Sequence, residues 1–453
     1  MYLFDRRSLF LLLCCTLPLL FLPKINLIQF AGETSGIRID DIVLFLFASV
    51  TLWAILQTQK PLSPLERYPI YITLFSFFSF FINRLLVYSD FLHIDSKIFY
   101  CVRVLEYFFF FYVGSFASRF FRLENFFAIF FAFLMVIMIC QKLGIIGGIT
   151  SEGYVSSITG NVIGIAAFPG EMGCILNFLF AFFAFSENFK NQIISFFPNS
   201  LHQFIKNSYT YFLFAIFFIF TALTENRIAI LTLLFCFLGR LKYEFSFQSL
   251  PSKMFVLLVA ISLLCGAALT IPNLNELKAR SENLISMQNF EAFSQAWDSI
   301  DITYNPLGQE SKEGFKQYDA SWWMRIHKWM FAIKIFINHP ECYFQGLGPG
   351  ANFAALDGGW LRIFVENGFI GTLLFLRFFY LMFRQNLQMK WIMIAFAINM
   401  ITFDVYLAYK VMSILFLTSG YFYAVSFSLE LSQNKVCMLS RAEFDNIKIA
   451  QQT

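Results

Sequence analysis

The sequence predicts an all-α, polytopic membrane protein of about twelve helical spans with one large loop between the ninth and tenth. Three observations predict it. Apolar residues make up 58% of the chain, with 64 Phe among them, and only 14% are Asp, Glu, Lys or Arg, against roughly 25% in a soluble domain. Apolar stretches long enough to enter a bilayer recur from end to end. Lys and Arg gather in alternate connecting segments, which defines a consistent sidedness. The net charge of +4 points to no nucleic-acid partner, because the basic residues sit in short loops between spans.

The spans read in order as 8–22, 39–58, 68–86, 98–118, 123–141, 164–186, 208–224, 226–239, 253–271, 363–382, 390–408 and 411–429. Arg6-Arg7 before an apolar run resembles the opening of a signal peptide. Leu22-Pro23-Lys24-Ile25-Asn26 is a poor cleavage site, so 8–22 reads as an uncleaved first span. Residues 23–33 read either as connection or as a second membrane-embedded piece. Between the seventh and eighth spans, Thr224-Glu225-Asn226-Arg227 interrupts the apolar sequence without a real loop, and counts of eleven or thirteen spans stay open.

With the N-terminus inside, the cytoplasmic segments collect Arg6, Arg7, Lys60, Arg67, Arg119, Arg122, Lys190, Lys206, Arg240, Lys242, Lys253, Arg384, Lys390, Lys435 and Arg441, whereas 143–163 contains no Lys or Arg. Four segments follow: spans one to nine in 1–271, an outward loop in 272–362, spans ten to twelve in 363–429, and a cytoplasmic tail in 430–453. Both termini then lie inside. Of nine Cys, most fall in spans and Cys342 alone lies in the large loop, which excludes an internally stapled loop.

The loop divides in two. Residues 273–319 are polar and acidic, and read as short helices and irregular chain. In 320–338, Trp322, Ile326, Trp329, Ile333 and Phe336 recur at helical spacing and give a helix with one apolar face. Trp322, Trp323 and Trp329 suit the membrane interface, where an indole buries its ring and keeps its N–H hydrated. His339-Pro340 ends the helix. A helix that merely lies on the membrane has the same pattern.

Several polar groups close to the bilayer are candidates for chemistry. Arg325 in this helix suits a phosphate or pyrophosphate through paired, charge-assisted hydrogen bonds, and equally suits a lipid headgroup. Gly346, Gly348 and Gly350 make a tight turn where backbone approaches a ligand closely. Arg227 lies at the outward end of two adjoining spans beside Glu225, Thr224 and Asn226; a charge so close to hydrocarbon is costly, and its alternative is a Glu225–Arg227 pair that stabilises the hairpin. Asp357 and Glu366 are the candidate carboxylates for accepting a proton, with Glu366 facing the bundle or a cavity. Asp357 has the alternative of capping the helix of span ten. Glu171, after Phe168-Pro169-Gly170, is a third polar group on the same side, and Asp404 either enters the cavity or pairs with Lys410.

These motifs resemble the O-antigen ligase/polymerase superfamily of bacterial inner-membrane proteins. Thr224-Glu-Asn-Arg227 is similar to the family's Thr/Ser-x-Ser-Arg, with Asn226 in place of Ser. Arg325-Ile-His-Lys-Trp329, His339-Pro340 and Gly346-Leu-Gly-Pro-Gly350 resemble its Arg-x-x-x-Trp/Leu, His-Pro and Gly-x-Gly-x-Gly series. Asn161 to Glu171 resembles its Gly-x-x-x-Asn-Pro segment. The ligase branch has His, then Asn, Ser or Gln, then nine residues and Gly-x-x-Gly. Gly368-Phe-Ile-Gly371 keeps that register here, while Asp357 and Gly358 occupy the first two positions.

The resemblance implies a GT-C-like membrane glycosyltransferase using an undecaprenyl-diphosphate-linked oligosaccharide donor. It implies that Arg227 and Arg325 hold the diphosphate, that Asp357 or Glu366 serves the acceptor hydroxyl, and that Glu171, Gly346, Gly348, Gly350, Trp322 and Trp329 line the substrate. The missing His tilts the reading towards a surface-polysaccharide polymerase over a ligase acting on lipid A-core or protein. A lipid-linked glycan transporter or another transporter remains the rival from a different class. Membrane lipids, a chain-length regulator and a flippase are the expected partners, and neither metal nor other cofactor is expected.

Overall fold

The computed structural model describes residues 6–23, 26–29, 36–38, 41–46, 49, 62–86, 94–148, 161–244, 288–300, 320–351 and 356–428. The helices are α1 (Arg6–Thr16), α2 (Pro64–Leu86), α3 (Ile94–Ala117), α4 (Leu123–Lys142), α5 (Pro169–Ala184), α6 (Glu187–Ser195), α7 (Asn199–Leu223), α8 (Arg227–Glu244), α9 (Gln288–Ser299), α10 (Ala320–Asn338), α11 (Gly359–Phe383) and α12 (Leu387–Asn399). Tyr409–Ser428 forms α13. Among the described residues the elements are helical, as expected, apart from one short antiparallel pair, β1 (Asn26–Gln29) with β2 (Gly36–Arg38), which begins where a second embedded piece was one reading of 23–33.

Among the described residues, five helices are long and apolar enough to cross a membrane: Ile98–Ala117 within α3, then α4, α7, α11 and α13. The pair α5 and α6 makes a sixth if counted as one span bent by 74°. Leu74, Phe78, Ile129, Val136, Leu231 and Leu238 are exposed on α2, α4 and α8, a surface suited to lipid rather than water. The expected ninth span, 253–271, most of the second and much of the large loop lie outside the described residues.

Several span boundaries differ from the sequence reading. The sixth begins only at α5, because Pro169 opens the helix and 161–168 is a turn with Gly164 at φ 59°. Gln141 holds that turn at Gly164, donating to its carbonyl (2.7 Å) and accepting from its N–H (2.8 Å). The eleventh, expected over 390–408, is helical only in α12; turns at 400–404 and a 3-10 turn at Val405–Leu407 follow. Non-helical backbone is tolerated at membrane depth only where protein satisfies its polar groups, and these turns are packed under α11. Thr224–Asn226 does divide α7 from α8, as the polar interruption indicated.

Helix α5 is central, with every side chain from Gly170 to Ala184 buried, and packs against α7, α8 and α12. Helices α3 and α13 meet backbone to backbone: a Cβ on Gly114 would lie 1.9 Å from the Leu417 carbonyl oxygen, and one on Gly420 1.8 Å from that of Phe111. Small residues permit this approach, which is how helices gain contact where lipid offers no hydrophobic drive. The remaining core is chiefly aromatic, as in the stacked Phe131–Phe217 and Phe214–Phe237 rings at 4.2 and 4.1 Å.

Candidate active site

Helix α10 covers the stretch its apolar period indicated, and His339-Pro340 ends it. Residues three and four apart share a helix face, so Arg325, Lys328 and Trp329 point together. Lys328 Nζ donates to Asp357 Oδ2 at 3.1 Å. Trp329 Nε1 donates to the carbonyls of Leu356 (3.1 Å) and Asp357 (3.2 Å). The indole N–H expected to stay hydrated is therefore committed to the loop. Trp322 lies edge-on to Trp329, with ring centroids 6.0 Å apart, and Trp323 is buried rather than interfacial.

Asp357 sits between them at φ 57°, in the left-handed region that Asp tolerates better than most residues. It does not cap α11: the N-cap is Gly358 and receives no side-chain cap. The carboxylate that organises this turn is Asp404, whose Oδ2 accepts from the Leu356 N–H at 2.7 Å and whose Oδ1 accepts from the Gly358 N–H at 3.0 Å. Arg362, fully buried, donates through Nη1 to Asp404 (2.8 Å) and through Nε to Glu366 (2.8 Å). Tyr406 donates to the second oxygen of Glu366 at 3.3 Å.

Three expectations change here. Asp404 pairs with Arg362, not with Lys410, whose ammonium instead donates to the carbonyls of Leu19, Leu20 and Leu22. Glu366 faces inwards as expected, but is sequestered by Arg362 and Tyr406, which leaves half-buried Asp357 as the accessible carboxylate. Glu171 is buried and turned to the backbone, accepting from the Ala167 N–H (2.8 Å) and the Lys410 N–H (3.3 Å), which fits a structural role better than substrate binding.

The glycine turn also meets protein rather than open space. Gly346, Gly348 and Gly350 have φ of 77°, 93° and 76°. Helix α11 breaks at Gly368 (φ 60°, ψ −165°), and the turn satisfies the backbone groups this frees. The N–H groups of Leu347 and Gly348 donate to the carbonyls of Val365 (2.8 Å) and Glu366 (2.9 Å), while those of Phe369 and Ile370 donate to Tyr343 (2.8 Å) and Phe344 (3.2 Å). A Cβ on Gly346 would lie 2.3 Å from the Glu366 carbonyl oxygen. From α2, Ser79 and Asn83 donate to the carbonyls of Gln345 (2.6 Å) and Gly346 (2.8 Å).

Arg325 is half-buried with its guanidinium 5.5 Å from the centre of the Phe403 ring, and its Nε is buried with no hydrogen-bond partner among the described residues. Arg227 is half-buried and opens α8. Of its neighbours, Asn226 accepts from the Ala229 N–H (3.3 Å), Thr224 donates to the Thr221 carbonyl (2.7 Å), and the Asn161 amide, oriented to satisfy its hydrogen bonds, faces the Glu225 carboxylate. Asn226, next to Arg227, lies against Gly173 of α5, and Phe403, beneath Arg325, lies against Gly170 of the same helix. Arg362 was absent from the sequence candidates although its four-residue spacing to Glu366 on one helix was visible. Neither a family model, nor a curated protein, nor a solved structure matches this chain.

Proposed function

We propose that this chain is a bacterial surface-polysaccharide polymerase of the O-antigen type, transferring glycan repeats from an undecaprenyl-diphosphate carrier to a lipid-linked acceptor. The observation that carries the reading is one face of α10, where Arg325 has a buried Nε without a hydrogen-bond partner among the described residues, three residues from the Lys328 that holds Asp357. Arg325, with Arg227, stabilises the departing diphosphate. Asp357 takes the proton of the acceptor hydroxyl as its oxygen bonds to the anomeric carbon and the bond from that carbon to the diphosphate breaks, so the anomeric centre inverts. In this reading the chain has twelve spans in a GT-C-like arrangement in the inner membrane, with both termini cytoplasmic and the large loop periplasmic.

The test is the surface glycan of a deletion strain, separated by size and complemented with wild type, Arg325→Ala or Asp357→Ala. Lipid A-core carrying a single repeat in the deletion strain, restored to polymer by wild type and by neither variant, is the expected result. Polymer retained on its polyprenyl carrier and missing from lipid A-core identifies a ligase instead. An unchanged profile overturns both assignments.

A further inference from the structure

Nothing in the proposed chemistry requires Asp404 or Arg362, yet the turn carrying Asp357 is built on them. Asp404 accepts the two N–H groups that flank Asp357, and Trp329 binds the carbonyls of Leu356 and Asp357 from the other side. Among the described residues, the Asp357 side chain bonds to Lys328. Asp404 is itself anchored: Arg362, fully buried, spans from it to Glu366, and the Arg362 N–H bonds back to the Gly358 carbonyl at 2.8 Å. The Trp360 N–H adds a bond to the Met400 carbonyl (3.2 Å), and its Nε1 to that of Ala397 (2.9 Å). One residue in a left-handed conformation is thus held by two helices and a buried ion pair. Strained backbone of this kind persists only where its surroundings over-determine it.

We infer that Asp404, fixed by Arg362, is a positioning residue: it holds the Leu356–Gly358 turn so that the Asp357 carboxylate is presented to the Arg325–Lys328 face of α10. The inference deepens the proposed function and rests on it only for the consequence in glycan transfer; the positioning itself is readable without activity. Bonds of a carboxylate to backbone N–H are among the stronger ones, so losing the charge at position 404 frees the turn.

The experiment places cysteines at 328 and 357 in the full-length chain, in native membranes, and measures bridging by a short bis-methanethiosulfonate reagent, with each single-cysteine variant as background. Lys328→Cys and Asp357→Cys remove the ion pair but leave the Asp404 and Trp329 bonds. The pair therefore bridges well with Asp404 intact, and yield falls about tenfold, equivalent to roughly 1.4 kcal/mol, with Asp404→Asn or Arg362→Lys. A control pair at Asn125 and Gln192, exposed side chains joined at 3.1 Å on α4 and α6, keeps its yield. Unchanged 328–357 bridging overturns the inference, and so does loss of both bridges in both variants, which makes the ion pair a folding element only. The same substitutions, with Lys328 and Asp357 restored, are run through the glycan profile. Loss of bridging with a normal profile supports positioning and removes Asp357 from the chemistry; loss of polymer with normal bridging overturns positioning.

Discussion

Two ionic clusters stand in this molecule, and they are built differently. One joins α6, α7 and α8: Arg240 reaches Glu187 (2.6 Å) and Glu244 (2.8 Å), Lys190 reaches Glu244 (2.7 Å), and Thr210 donates to the same carboxylate (2.8 Å). Its charges balance, and the Glu187 side chain is 63% exposed. Burial alone would raise the Glu244 carboxyl, but the Lys190 hydrogen bond and the Arg240 charge outweigh it and leave it below its ordinary value. The other, Arg362 with Glu366 and Asp404, sets one cation against two carboxylates with the Arg362 side chain fully buried. The first ties regular helices together. The second supports irregular backbone, and its spare acceptors are filled by peptide N–H groups and a tyrosine. Excess buried negative charge is costly unless hydrogen bonds compensate it, so its presence marks a place where the chain needs a shape that helices cannot provide.

The comparison breaks most directly at the arginines. Arg362→Ala leaves buried Glu366 and partly buried Asp404 without their cation and is expected to cost about 3–5 kcal/mol, read as loss of folded protein in a detergent melt. Arg240→Ala leaves Lys190 on Glu244 and Glu187 in solvent, and is expected to cost roughly 1.5–3 kcal/mol in the same assay. Equal losses would erase the distinction. The contrast extends to the backbone at Gly368, whose φ and ψ belong to a region open to glycine almost alone. Gly368→Ala adds a Cβ 2.4 Å from the Gly346 nitrogen, so about 3 kcal/mol is expected, seen as earlier proteolysis of the 343–348 turn. An unshifted proteolysis rate would mean that the turn is not held by the helix break.

A smaller effect sharpens the comparison, because His327 is buried with neither ring nitrogen hydrogen-bonded among the described residues. Burial lowers its pKa below the ordinary 6.5, so the folded chain binds this proton less readily than the unfolded one. Stability from the neutral ring is therefore intact above the ordinary value and lost as pH falls below it. Protection of α10 amides, taken relative to their intrinsic exchange rate at each pH, should fall as pH drops below about 6.5, and His327→Leu should flatten that dependence. A pH response unchanged by the substitution would assign it to other groups.

The sequence made local features legible and hid those that depend on distant partners. Periodicity marked α10, and a four-residue polar break separated α7 from α8, because both signals lie within a few residues. The early end of α12 was hidden: 390–408 is apolar enough to continue, and only the tertiary bonds of Trp360 and Asp404 show why it turns. Asp404 was weighed against Lys410 because they are six residues apart, whereas its true partner lies 42 residues away. Glu171, Gly346 and Trp329 looked like ligand contacts by residue type. Their partners are backbone groups, a pairing that composition does not encode. Arg325 and Asp357 meet at one face of α10, where Lys328 reaches Asp357, a proximity that separate sequence positions do not encode.

Lys410 carries a consequence for the assembly of the chain. Its ammonium bonds the carbonyls of Leu19, Leu20 and Leu22, which close the first apolar segment as a 3-10 turn and cannot be met by further helix. Its partner on Leu20 lies 390 residues earlier. At a synthesis rate of about 5–20 residues per second, that end of the first segment waits roughly 20–80 s for its cation. Through that interval its carbonyls must be served by the insertion machinery, by lipid headgroups or by water. The Leu17–Leu22 end of this apolar segment is thus completed only once residue 410 has been made.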